Sequence, residues 1–197
     1  MSRKIVITGG LGYIGMELSL ILSGESRKNQ IKVLDNSFFS DRVSQLKRWG
    51  IDYEQIDILD SKSLSNEIND ADVIFHLAGI TNVATTADDK DQERDKRVRD
   101  VGIMGTRNII KFSNEKTKII FPSTHVVFEG LKKQKTEIDE KFKPIPNLEY
   151  SKGKFQSEKD LIDSKKNYII LRLGSVFGNS FDSTRVNIMP NLFSKVA

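Results

Sequence analysis

The sequence predicts an α/β fold, a doubly wound parallel sheet with helices on both faces. Three observations predict it. An apolar β-branched run, Ile5-Val6-Ile7, breaks at a glycine cluster and resumes as a helical apolar pattern through Leu18, Ile21 and Leu22. Strand-like and helix-like segments then alternate along the rest of the chain. An acid, Asp35, closes the second strand-like run, about 20 residues beyond the glycines.

The glycine cluster can be read in two registers. Gly10, Gly12 and Gly15 fit G-x-G-x-x-G, while Gly9, Gly12 and Gly15 fit G-x-x-G-x-x-G. Strand, glycine turn and helix form the opening of a Rossmann-type dinucleotide fold. The glycines serve a tight turn, close approach of backbone to a pyrophosphate, and close helix–strand packing. The phosphates sit on free N–H groups at the helix N-terminus. The plain alternative is an ordinary strand–helix turn, and the context of strand, helix and acid argues against it. A carboxylate at Asp35 accepts hydrogen bonds from ribose hydroxyls and repels a 2′-phosphate, so NAD is favoured over NADP. Asn36 follows, no arginine is adjacent, and Arg42 lies further off.

Residues 31–35 are the second strand. Residues 40–49 have helical spacing, with Val43, Leu46 and Trp49 as the expected buried face and Gly50 as the stop. Residues 51–58 read as the third strand, and Leu64 and Ile68 belong to a short amphipathic helix. The fourth strand, Val73 to Gly79, ends in small residues that let a ligand approach the backbone. His76 within it is expected as a packing residue rather than a catalyst. Residues 88–100 carry dense charge of both signs and read as a solvated helix or mobile loop. Val101, Met104, Ile109 and Phe112 continue a helix. Residues 118–121 are the fifth strand, followed by Ser123-Thr124-His125. Residues 131–146 are a polar loop with lysines at 132, 133, 135, 141 and 143. Residues 150–162 are a helix with Phe155, Leu161 and Ile162 apolar, 168–173 the sixth strand, and 188–197 a closing segment.

With 197 residues, 38% hydrophobic and 29% charged, the chain suits one soluble domain. No apolar run approaches the ~18 residues of a membrane-spanning helix, so no membrane partner is expected. Residue 5 already begins a strand, so no secretory leader is expected. There is no cysteine, which excludes disulfides and fits a cytoplasmic location. Two histidines, far apart, give no metal site. The net charge of +4 is spread among acids with no basic stripe, so no nucleic-acid partner is expected.

Tyr150 and Lys154 are four apart on a helix, which puts both side chains on one face. An ammonium beside a phenol favours phenolate. Bringing a tyrosine from its ordinary pKa of about 10 toward 7 requires roughly 4 kcal/mol. Lys154 and a positive nicotinamide can supply it together. Thr124, at the end of the neighbouring strand, can bond the same substrate oxygen. Tyr150 is then the proton donor and acceptor, Lys154 the electrostatic tuner and ribose anchor, and Thr124 the substrate clamp.

Taken jointly, Thr8 to Gly15, Asp35, Asp57-Ile58, His76 to Gly79, Gly105-Thr106, Ser123-Thr124, Tyr150/Lys154 and Arg172 to Gly178 resemble the extended short-chain dehydrogenases/reductases, the NAD-dependent epimerase/dehydratase group. The resemblance implies that Tyr13 and Ile14 lie near the pyrophosphate, that Asp57 and Ile58 contact adenine, and that Leu77, Ala78 and Gly79 line the cofactor. With Gly9, Gly12, Gly15, Asp35, Asn36, Tyr150 and Lys154 these make the expected cofactor site. The implied substrate is a nucleotide sugar, epimerised through a keto intermediate as in UDP-glucose 4-epimerases. It also implies a homodimer through the helices at 101–112 and 150–162. Relatives run past three hundred residues. The expectation is therefore a Rossmann domain over 1–197, with 173–197 opening a substrate part that is largely missing.

Four positions make three departures from the family pattern. His125 and Val126 stand where dehydratases carry an Asp-Glu pair, which disfavours water elimination. Gly102 stands at a frequent Asn, and Ser175 at a frequent substrate-binding Asn. Two alternatives remain open. Residues 123–130 look like the S-T-D-Y-V-F-D-G of keto-sugar reductases, and a non-catalytic NAD-binding module fits a chain without its substrate half.

Overall fold

The computed structural model describes residues 2–25, 28–81, 92–132, 137–178 and 180–181. Strands β1 (Lys4–Thr8), β2 (Gln30–Asp35), β3 (Asp52–Gln55), β4 (Val73–His76), β5 (Lys118–Thr124) and β6 (Asn167–Leu173) form one sheet in the order β3-β2-β1-β4-β5-β6. Every pairing is parallel. Among the described residues the helices are α1 (Tyr13–Ser23), α2 (Ser40–Arg48), α3 (Ser61–Ile68), α4 (Gln92–Phe112) and α5 (Glu149–Asp163), with a 3-10 turn over His125–Phe128. The strand order reverses between β1 and β4, and such a switch point leaves a crevice at the strands' C-terminal ends.

Two cores form because β1 alternates between faces. Val6 points to one side, with Ile74, Ile109, Phe121 and Leu161, under α3, α4 and α5. Ile5 and Ile7 point to the other, with Met16, Val33, Val43 and Leu46, under α1 and α2. The expected α/β architecture is therefore the observed one. Ile169 and Leu171 of β6, at 41% and 43% exposure, lie uncovered among the described residues.

Several boundaries and faces differ from expectation. The third strand spans four residues, not eight, because Ile56 to Leu59 turns out of the sheet at Asp57, whose Oδ1 accepts from Leu59 N at 2.8 Å. Ile21 is 74% exposed, and α1 buries Gly15, Met16 and Ser19 instead. Trp49 is only half-buried, lying edge-on to Phe181 at 5.3 Å. The charged stretch from residue 92 is helix, continuous with α4. Glu93, Lys96 and Arg97 there are exposed, while Arg99 turns toward α5 and pairs with Glu149 at 2.6 Å. Met104 on that helix is 47% exposed. On α5 Leu161 is buried, but Ile162 is 51% exposed, and the buried stripe is Ser151, Gly153, Ser157 and Glu158. Small residues are needed there because α4 packs close: a Cβ on Gly153 would lie 3.2 Å from Arg99 Cα. Residues 82–91, lysines 133 and 135 and the segment 188–197 lie outside the described residues.

Candidate functional site

The C-terminal edge of the sheet carries a cleft of about 550 Å³. Every candidate residue from the sequence lines it: Gly9, Gly12, Tyr13, Ile14 and Gly15 from the first turn, Asp35 and Asn36 after β2, and Asp57 and Ile58 after β3. Leu77, Ala78 and Gly79 follow β4, Thr124 ends β5, and Tyr150 and Lys154 come from α5.

Both glycine registers are used. Gly9 has φ +68°, the left-handed region, and a Cβ there would lie 2.6 Å from Ala78 N. Gly12 caps α1 in extended conformation, with no side chain to satisfy the first-turn amides. Gly15 lets α1 descend on the turn, since its Cβ would lie 2.5 Å from Gly10 Cα. Free amides at a helix start form a site for phosphate oxygens, and no acid sits in that first turn to oppose one. The cradle fits a pyrophosphate.

Asp35 does more than the sequence suggests. Its Oδ2 accepts from Leu11 N and its Oδ1 from Ser37 N, each at 3.0 Å. It pins the glycine turn while lining the cleft. Arg42, distant in sequence, reaches the same place: Nη1 donates to Leu11 O at 2.6 Å, and the guanidinium lies 4.3 Å over the Phe39 ring. Asn36 Nδ2 donates to Asp57 Oδ2 at 3.4 Å, joining two of the expected adenosine contacts.

At the other end, Thr124 Oγ1 accepts from Val126 N at 3.2 Å as the cap of the 3-10 turn, which leaves its hydrogen to donate. Lys154 Nζ donates to Pro122 O at 2.9 Å and sits 4.5 Å over the Phe121 ring. Burial lowers its pKa to about 8, against an opposing effect of Glu158. His125 Nδ1 pairs with Leu173 O at 3.1 Å. A carbonyl only accepts, so Nδ1 carries the proton. Gly102, in place of the frequent Asn, has nothing within 4 Å of an added Cβ.

His76 is fully buried between Thr8 Oγ1 at 2.9 Å and Thr106 Oγ1 at 3.1 Å, outside the cleft lining. Burial, with a smaller contribution from Lys154, pushes its pKa down to about 3. The unfolded imidazole takes a proton below about 6.5, and the folded one does not until about 3. Stability therefore falls as pH drops through that window, by an amount on the order of 4 kcal/mol. Urea melts from pH 7 to 4 should show this slope, and a His76→Gln variant should lose it.

One network was not legible in the motifs. Glu158, 1% exposed, accepts from Ser123 Oγ and from Arg172: Nη2 to Oε2 at 2.7 Å, and Nε to Oε1 at 3.1 Å. It ties α5, β5 and β6 together directly behind Thr124 and Lys154. Two signals pointed there: an acid four residues after Lys154, and an arginine inside the apolar run of β6.

A family model described as the 3-beta hydroxysteroid dehydrogenase/isomerase family matches residues 6–184. The chain belongs to that family. Among curated proteins, a UDP-N-acetyl-alpha-D-glucosaminuronate decarboxylase of Bacillus cytotoxicus is 34% identical over 130 residues, covering 65% of this chain and 38% of the relative. A UDP-glucose 4-epimerase of Mycoplasma genitalium is 29% identical over 130 residues, covering 64% of this chain and 37% of the relative. The matched stretch thus spans well under half the length of these relatives. Among solved structures, UDP-glucuronic acid 4-epimerase from Bacillus cereus, in complex with UDP-glucuronic acid and NAD, superposes with a TM-score of 0.74 at 23% identity, over 97% of this chain and 63% of that one. UDP-glucose 4-epimerase from Brucella ovis, in complex with NAD, gives 0.71 at 22% identity, over 87% of this chain and 51% of that one. At such identity the likeness shows the fold. No helix among the described residues is long and apolar enough to cross a membrane.

Proposed function

We propose that this chain is the NAD-binding part of a nucleotide-sugar 4-epimerase, with residues 173–197 opening its substrate part. The observation that carries the reading is that Thr124, Tyr150 and Lys154 line the same cleft as the glycine turn and Asp35. NAD, when bound, accepts and returns the hydride at the sugar carbon. The first-turn amides of α1 would hold its pyrophosphate, Asp35 its adenosine ribose, and Asp57 and Ile58 its adenine. Tyr150 takes the proton of the sugar hydroxyl and later gives it back. The Lys154 ammonium favours the phenolate, and Thr124 donates to the same oxygen.

Epimerisation is preferred to dehydration because His125 and Val126 supply no carboxylate beside Thr124. A nucleotide sugar is preferred to a steroid because both curated relatives described above act, by name, on nucleotide sugars. A homodimer through α4 and α5 belongs to the same reading, and Met104 and Ile162 are exposed on those helices.

In a form that also carries the substrate part, incubation with NAD and a panel of UDP-sugars should give interconversion of 4-epimers. Tyr150→Phe should lower turnover at least ~10³-fold while NAD affinity stays within about twofold. The rate should fall on the alkaline side near pH 8, where Lys154 loses the charge that holds the phenolate. NAD binding without turnover of any sugar, in parent and variant alike, would favour the non-catalytic module.

A further inference from the structure

Glu129 follows the 3-10 turn that starts after Thr124, and it is absent from the cleft lining. One carboxylate oxygen, Oε1, accepts three hydrogen bonds: from Asn147 N at 2.8 Å, Leu148 N at 2.6 Å and Ser151 Oγ at 2.5 Å. Leu148 caps α5 and makes no side-chain cap of its own. Glu129 supplies acceptor capacity there from another part of the chain. The same strap is reinforced by Ile145 N to Val127 O and Gly130 N to Ile145 O, both at 2.8 Å.

The first turn of α5 carries Tyr150. We propose that Glu129 is a positioning residue for Tyr150, one carboxylate that registers the start of α5 against the turn following Thr124. This rests on the reading of Tyr150 as the acid–base residue. It gives that phenol two influences of opposite sign. The free amides of a helix start favour a phenolate, and a carboxylate held among them opposes it.

Other charges face this turn. Glu149 is paired with Arg99 of α4 at 2.6 Å and with Lys152 at 2.8 Å. Lys154 lies one helical turn on, His125 is on the 3-10 turn, and Arg172 of β6 is engaged by Glu158. Among the described residues Glu129 forms no ion pair, and its charge is held at the start of α5 by the three hydrogen bonds alone.

The test is the ultraviolet titration of Tyr150, isolated as the difference from Tyr150→Phe, with no nucleotide present. Glu129→Gln keeps the acceptor oxygen and removes the charge. Its titration should move to lower pH by about half a unit, an approximately threefold rise in phenolate on the rising limb. Glu129→Asp keeps the charge but is one methylene too short to reach all three donors. The loosened turn takes its amides from the phenol, and the titration should move to higher pH. Shifts of opposite sign support the proposal. Curves superposed on the parent, with only the melting temperature lowered, would overturn it and leave a plain helix cap. Shifts of the same sign would also overturn it. If Glu129→Asp does not fold by near-ultraviolet circular dichroism, Glu129→Gln alone decides: a downward shift supports, superposition overturns. Because no cofactor or sugar is used, failure of the epimerase reading would appear in turnover and not in these curves.

Discussion

Gly9→Ala is expected to be among the most damaging single substitutions in the chain, costing about 3 kcal/mol or more. Two effects add. Alanine at φ +68° adopts a conformation that costs an L-residue roughly 1–2 kcal/mol. The new Cβ then meets backbone on the far side, Ala78 N at 2.6 Å and Ala78 Cα at 2.7 Å, which no rotamer can relieve. Either β4 moves away from β1 or the turn moves into the cleft. Gly9 N also donates to Leu34 O at 2.7 Å, so movement strains β2 as well. Thermal melts should show a fall of roughly 6–12 °C for a domain of this size, and NAD affinity should drop at least about tenfold. Gly24→Ala is the control. That residue has φ −61° and nothing within 4 Å of a Cβ, so its melting temperature should stay level or rise slightly.

Arg172→Ala is expected to cost about 3 kcal/mol, because it strands a carboxylate that is 1% exposed. Breaking a buried pair from one side leaves a desolvated charge uncompensated. The Arg172 side chain is itself 21% exposed, so water reaching the gap keeps the loss at the lower end of such effects. Replacing both partners, as Glu158→Leu with Arg172→Met, removes the stranded charge and should recover much of the loss. Urea unfolding of the parent, single and double variants checks this. A double variant as unstable as the single would contradict the account of the network.

The strands were legible because their chemistry is local. Val6 and Ile7 read as buried before any contact was known, and Asp35 at a strand end needed only spacing to be noticed. Helix faces were less legible. Ile21 fits the apolar period of α1, yet Ser19 is buried and Ile21 is exposed at 74%. What decides this is how close the turn lets α1 approach the sheet, which depends on Gly10 and Gly15 meeting across the chain. The start of α4 was left open between helix and loop for the opposite reason. Its first two turns are charged on nearly every face, so the period that marks a helix carries no signal there.

The candidate site was largely legible as a list of residues and much less so as a set of bonds. Arg42 looked remote from Asp35, but both hold Leu11, one through its N–H and the other through its carbonyl. Glu158 and Glu129 are ordinary acids in a charged chain. Their partners lie 14 to 35 and 18 to 22 residues away, and only the packing of α5 against β5 and β6 brings them together.

The most direct test of the central claim is the crystal structure of this chain with NAD. The account predicts the adenosine ribose on Asp35, the pyrophosphate on the first turn of α1, and the nicotinamide ring facing the Tyr150 hydroxyl beside Thr124. A cofactor bound elsewhere, or a nicotinamide directed away from Tyr150, would contradict it.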